Sequence, residues 1–250
     1  MGRGSLFAKL ATLTAVSLLL SGCAAFRASE SGTAIQEDRD AGLGQEGWWY
    51  ARYRILWPEN AEPNWSVDLY LADRVVSPVL EKHRGRIALW RFHRRAARDE
   101  AGHQFSFIFF SSARNARDVF NDLNSSRDLQ AISDAGMVVG TGCDETSTVG
   151  KPRLEDTSDR SWSPAVQRAW PHFIMGVSEM WLRLIQEHRA SMEKTAPPGS
   201  LPARLAIYQQ VNAKITQSWR DEGRHALLHH LNALFGYEPL VVYERKLMGF

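Results

Sequence analysis

Between residues 91 and 103 the chain gathers Arg91, Arg94, Arg95, Arg98, Asp99 and His103. Guanidinium groups bind carboxylates and other anions bidentately, and an imidazole can transfer a proton near neutral pH. Arg94, Asp99 and His103 are therefore the candidate site for an enzyme or a small-ligand-binding protein. The plainer expectation for the same residues is a solvated charged hairpin in which Asp99 pairs with an arginine. A second candidate is His225 and His229, at i and i+4 with His230 adjacent, a spacing that can present two imidazoles to one metal. No Glu stands between them as in His-Glu-x-x-His, and a third ligand would have to come from His188 or His172. Structural histidines, with no metal and no other cofactor, are the expectation. Gly136-x-x-x-Gly140-x-Gly142 lacks the Lys and Ser/Thr of a phosphate loop and reads as a turn after a strand. Asp144, Glu145, Glu155, Asp156 and Asp159 lack calcium-loop spacing. Cys143 has no activating base nearby in sequence and reads as a buried or incidental thiol. No Gly-x-Ser-x-Gly motif is present.

The most specific signal precedes all of these. Arg3 and Lys9 give a positive start, followed by the eleven-residue apolar run Leu10 to Leu20 and then Ser21-Gly22-Cys23. The run is shorter than the ~20 residues a membrane span needs, and suits a secretory signal. Leu20-Ser21-Gly22-Cys23 resembles the lipobox of bacterial lipoproteins. The resemblance implies cleavage before Cys23, a signal peptide of residues 1–22, and lipidation at Cys23 with palmitate-type acyl chains. Several chains anchor stably where one is marginal. Ala24 follows the cysteine, not the Asp that retains enterobacterial lipoproteins at the inner membrane. The implied location is the cell envelope, lipid-anchored on the periplasmic side of the outer membrane.

Removing residues 1–22 takes away Arg3 and Lys9 and no acid, leaving 28 basic and 28 acidic residues. A neutral mature chain lacks the basic footprint of a nucleic-acid binder. Cys143 is then the only cysteine besides Cys23, so no internal disulfide forms and packing alone must hold the fold. Nine tryptophans imply a substantial core.

Residues 23–46 are rich in Ala, Gly, Ser, Glu and Asp and read as a flexible tether with a reach of roughly 25–30 Å. From Trp48 to Trp57 aromatic and β-branched residues predict a strand. Val67, Leu69, Leu71, Val75, Val76, Val79 and Leu80 predict a helix, kinked or ended near Pro78. Ile87 to His93 and His103 to Phe110 predict two strands around a polar turn from Arg94 to Gly102. Helical segments capped by Ser111 or Ser112 follow, then a short strand between Gly136 and Gly140. The β-α-β-β-α-β order over residues 47–142 predicts an α+β, ferredoxin-like sheet domain. Residues 143–162 read as a linker or loop. Apolar residues at three- and four-residue spacing then predict a long antiparallel helical hairpin over residues 163–250. It breaks at Ala196 to Ser200, with a short strand at Val241 to Tyr243.

The segment from Val67 to Phe110 is also similar to part of the C-terminal domain of lantibiotic dehydratases and thiopeptide biosynthesis proteins. The residues carrying this are Asp68-Leu-Tyr-Leu-Ala-Asp-Arg-Val-Val-Ser-Pro-Val-Leu80, Leu89-Trp-Arg-Phe-His-Arg94 and His103. Arg94 and His103 match an Arg and a His of that family. Phe105 and Phe107 stand where it places arginines, so the resemblance implies a fold relation and not the elimination chemistry.

The functional expectation is a membrane-anchored envelope lipoprotein with a non-catalytic binding or scaffold role. Its expected partners are the lipid bilayer, through acylated Cys23, and an envelope protein. The alternatives are an envelope enzyme or a small-ligand carrier with a pocket between sheet and hairpin. A carrier requires an apolar cavity, an enzyme requires Arg94 and His103 converging in a cleft, and a scaffold requires a flat aromatic patch.

Overall fold

Four strands form: β1 (Glu46–Ile55), β2 (Leu89–Ala96) and β3 (His103–Ser112), rich in aromatic residues, and the short β4 (Val138–Cys143). They form one sheet in the order β2-β3-β1-β4 with every pair antiparallel. The computed structural model describes residues 44–194 and 199–239, all within one compact unit. The lipobox, most of the 23–46 tether and the Val241–Tyr243 strand lie outside the described residues. Among the described residues no helix is long and apolar enough to cross a membrane.

Strand registry sorts the side chains. Trp49, Ala51, Tyr53 and Ile55 of β1 stand beside Phe109, Phe107, Phe105 and His103 of β3, and these beside Trp90, Phe92, Arg94 and Ala96 of β2. This face carries the main core. Against it pack α1 (Trp65–Tyr70), the π-helical turn Leu71–Val76, α2 (Ser77–His83), α3 (Ala113–Asn124) and α4 (Arg127–Asp134). Pro78 does not end the first helix. The widened turn before it runs straight into α2, whose second residue is Pro78. Ser112 caps α3 by accepting the Asn115 N–H at 3.3 Å, and Ser126 caps α4 in the same way.

β2 extends to Ala96, beyond the expected end at His93, because pairing with β3 continues to His103. Arg94 and Arg95 are thus strand residues, and the turn is only residues 97–102. Residues 143–162 do more than link. They return along β1, where Trp48 N–H donates to the Lys151 carbonyl at 2.9 Å and Trp48 Nε1 donates to the carbonyls of Arg153 and Leu154. A side chain at Gly47 would lie 2.3 Å from Val149, so only glycine admits this close approach. The segment covers Trp48, Leu89, Ile108 and Phe110, a small second core on the opposite face.

The long helices are α5 (Pro164–Glu193) and α6 (Leu201–Gly223). Ser163 and Ser200 cap them, each with proline in the first helical positions. Glu193, at the end of α5, and Tyr208, near the start of α6, both bond Arg74, so the helices run in opposite directions. A charged cluster locks this end: Tyr208 OH donates to Asp73 at 2.5 Å, and Arg189 bridges Asp73 at 2.6 Å and Glu193 at 2.5 Å. α5 also shields the open edge of β2, where the Phe92 N–H donates to Ser178 Oγ at 3.1 Å. An uncovered edge would template aggregation. A π-helical turn (Arg224–His229) and α7 (His230–Leu234) complete the described chain.

Candidate functional site

Of the three residues expected to act together, the structure joins two through a fourth. Asp68, on α1, is fully buried. Its Oδ2 lies 2.9 Å from His103 Nε2 and its Oδ1 lies 3.4 Å from Arg94 Nε. The Arg94 guanidinium sits between the rings of Trp65 and Trp181, 4.9 and 4.8 Å from their centroids, and donates to the Trp65 carbonyl. Burial lowers the Arg94 pKa, and Asp68 opposes that shift. The His103 ring packs 4.8 Å from Trp65, and its Nδ1 is sealed from solvent without a hydrogen-bond partner. This carboxylate lies between a guanidinium and an imidazole inside a tryptophan shell, and it ties α1 to β2 and β3.

Asp99 is not part of it. Exposed in the hairpin turn, it pairs with Arg95 at 2.5 Å and accepts the backbone N–H groups of Ala101 and Gly102. Arg95 above all holds its carboxyl below the usual range. Gly102, at φ +60°, makes that turn possible. Arg98 is spent on the carbonyls of Trp57, Pro58, Glu59 and Ala61. A cavity of about 380 Å³ touches Trp57, Arg98, Asp99 and His103, but the sealed His103 Nδ1 offers it no accessible base.

His225 and His229 lie on the exposed π-helical turn with their rings stacked 5.1 Å apart. Among the described residues no group of three or more His, Cys, Asp or Glu is placed to hold a metal. Cys143 ends β4 and is exposed rather than buried. Partial desolvation and Asp144 push its thiol up to about 11, which leaves it protonated at neutral pH.

A larger concavity lies elsewhere, between the edge of β2, the loop at residues 157–162, the middle of α5 and the end of α6. Its volume is about 730 Å³, within the ~300–1,000 Å³ of small-molecule sites. Trp162, Trp170, Trp181 and Trp219 line it with Ile174 and Leu184. Trp170 and Trp181 are eleven residues apart, about three helical turns, so both face the same side of α5. Trp162 packs on Trp170 with centroids 5.4 Å apart. Trp219 lies over Gly223, where a Cβ would come within 2.9 Å of the indole.

Arg91 stands in this wall. It is 9% exposed, its guanidinium lies 5.0 Å from the Trp170 centroid, and its Nε has no hydrogen-bond partner. It makes no ion pair among the described residues. Desolvation lowers its pKa, and Tyr50 opposes that shift. The hydroxyl of Thr157, also on the wall, is likewise buried without a partner. Burial, Arg91 and Arg95 hold His93 below its usual value, and Arg94, also in this wall, is paired with Asp68.

Two features escaped the sequence reading. Asp68 had a signal: a carboxylate in a helix whose neighbours Val67, Leu69, Tyr70 and Leu71 are all apolar or aromatic needs a buried cation. The cavity had a weaker one, the eleven-residue Trp170–Trp181 interval. Trp162, Trp219 and Arg91 join it only through tertiary packing. No family model, no curated protein and no solved structure matches this chain.

Proposed function

We propose that this protein is an envelope lipoprotein, tethered through Cys23, that binds a small apolar molecule without transforming it. The observation that carries the binding role is the tryptophan-lined cavity of about 730 Å³ between the β2 edge and the helical hairpin. An apolar cleft with few polar groups is the usual form of a small-molecule site. Nothing in its wall pairs a nucleophile with a base. The sealed Asp68–His103 contact supports a positioning role and not proton transfer. The lipobox supports the anchor, with the acyl chains on Cys23 holding the domain against the outer membrane. The strand order, read β4-β1-β3-β2 with all pairs antiparallel, supports the ferredoxin-like reading of the sheet.

Calorimetric titration of the full chain with a neutral medium-chain alcohol tests the binding role. One molecule should bind per chain, and Ser218→Trp, which adds an indole at the cavity wall, should weaken binding at least tenfold. Equal binding by parent and Ser218→Trp would remove the cavity from the account. Labelling with an alkyne analogue of palmitate should mark the parent and not Cys23→Ala.

A further inference from the structure

We propose that the ligand of the tryptophan-lined cavity is a single-chain amphiphile bearing one carboxylate, with Arg91 as its head-group anchor and the indoles as its chain site. The inference rests on the cavity being a ligand site and adds the chemistry of the ligand.

A buried guanidinium without a counter-charge is costly, and three half-buried arginines elsewhere in this fold are paired. Arg94 has Asp68, and Arg74 and Arg189 share Glu193 and Asp73. Arg94 also lines the cavity but is held by Asp68, whereas Arg91 meets the Trp170 ring and has no ion pair among the described residues. A carboxylate accepts two N–H bonds from one guanidinium, and the unpartnered Thr157 hydroxyl can donate a third. The apolar remainder of the wall then buries an alkyl chain, with each methylene contributing.

The charge count favours one negative charge. Arg91 supplies one positive charge, Arg94 on the same wall is balanced by Asp68, and Asp159 and Glu222 line the cavity and are exposed. Asp159 is already bonded to the backbone and hydroxyl of Ser161. A dianionic phosphate head would leave one charge unbalanced against these carboxylates. A quaternary ammonium head would suit the indoles but would confront Arg91.

The test uses the full chain in an amphipathic polymer, titrated calorimetrically with four twelve-carbon probes: dodecanoate, dodecanol, dodecyl phosphate and dodecyltrimethylammonium. Dodecanoate should bind most tightly, at one per chain. Arg91→Met should weaken dodecanoate about 10- to 100-fold, the loss expected for hydrogen bonds to a charged group, and leave dodecanol unchanged. The unchanged dodecanol affinity also shows that the variant is folded. Arg91→Lys should keep part of the preference, since it keeps the charge and loses the fork. Dodecanoate bound equally by parent and Arg91→Met would overturn the head-group assignment and leave the cavity standing. Tighter binding of the ammonium or the phosphate would also overturn it. Binding of none of the four would overturn the cavity reading itself.

Discussion

Arg94 leaves β2 toward the helices and meets Asp68 at 3.4 Å, while Arg91, on the opposite face of the same strand, meets the ring of Trp170 and forms no ion pair among the described residues. Both are drawn from water, and both have a lowered pKa for that reason. Around Arg94 the protein supplies its own carboxylate, a histidine and two tryptophans, so the charge is used up in holding α1 to the sheet. Around Arg91 it supplies an open apolar space. The first is a finished interior and the second an unfinished one. A buried charge with its partner reads as architecture, and a buried charge facing a cavity reads as a place for a ligand.

Removing Asp68 should break the finished side most severely. Asp68→Ala strands His103 and Arg94 without their carboxylate, and the denaturant midpoint should fall by the equivalent of about 3–5 kcal/mol. Next comes the covered edge between the two regions. Ser178→Ala leaves the buried Phe92 N–H without its acceptor and should cost about 1–3 kcal/mol by the same measurement. Arg91→Met should behave in the opposite sense and leave stability unchanged or raise it by up to about 1 kcal/mol, because it removes an uncompensated buried charge. A large loss there would show that Arg91 is as structural as Arg94. The smallest effect belongs to Asp99→Ala. It breaks only an exposed pair with Arg95 and a turn contact, so the thermal midpoint should not move measurably.

The strands and helices were legible because their periodicity is strong. Phe105, Phe107 and Phe109 alternate cleanly, and the long helices restart after a Pro-Gly break. The end of β2 was not legible, since Arg94 and Arg95 look like turn residues until their pairing with Phe105 and Gln104 is known. Arg94 and His103 stand out in the sequence, where nearness groups them with Asp99. Asp68, 35 residues before His103, is what brings them together. The cavity draws on residues from 91 to 227, and a constellation so dispersed leaves no local pattern to read. Residues 143–162 look too polar to pack, yet they cover a sheet face through backbone carbonyls bonded to Trp48, a role that composition does not reveal.

Thermal unfolding with dodecanoate tests the contrast between the two arginines most directly. A ligand that binds only the native state raises its stability, by about 2.7 kcal/mol at a hundredfold excess over the dissociation constant. The parent midpoint should rise with dodecanoate more than with dodecanol, and Arg91→Met should respond to the two alike. An equal response by the parent to both, or none to either, would contradict the account.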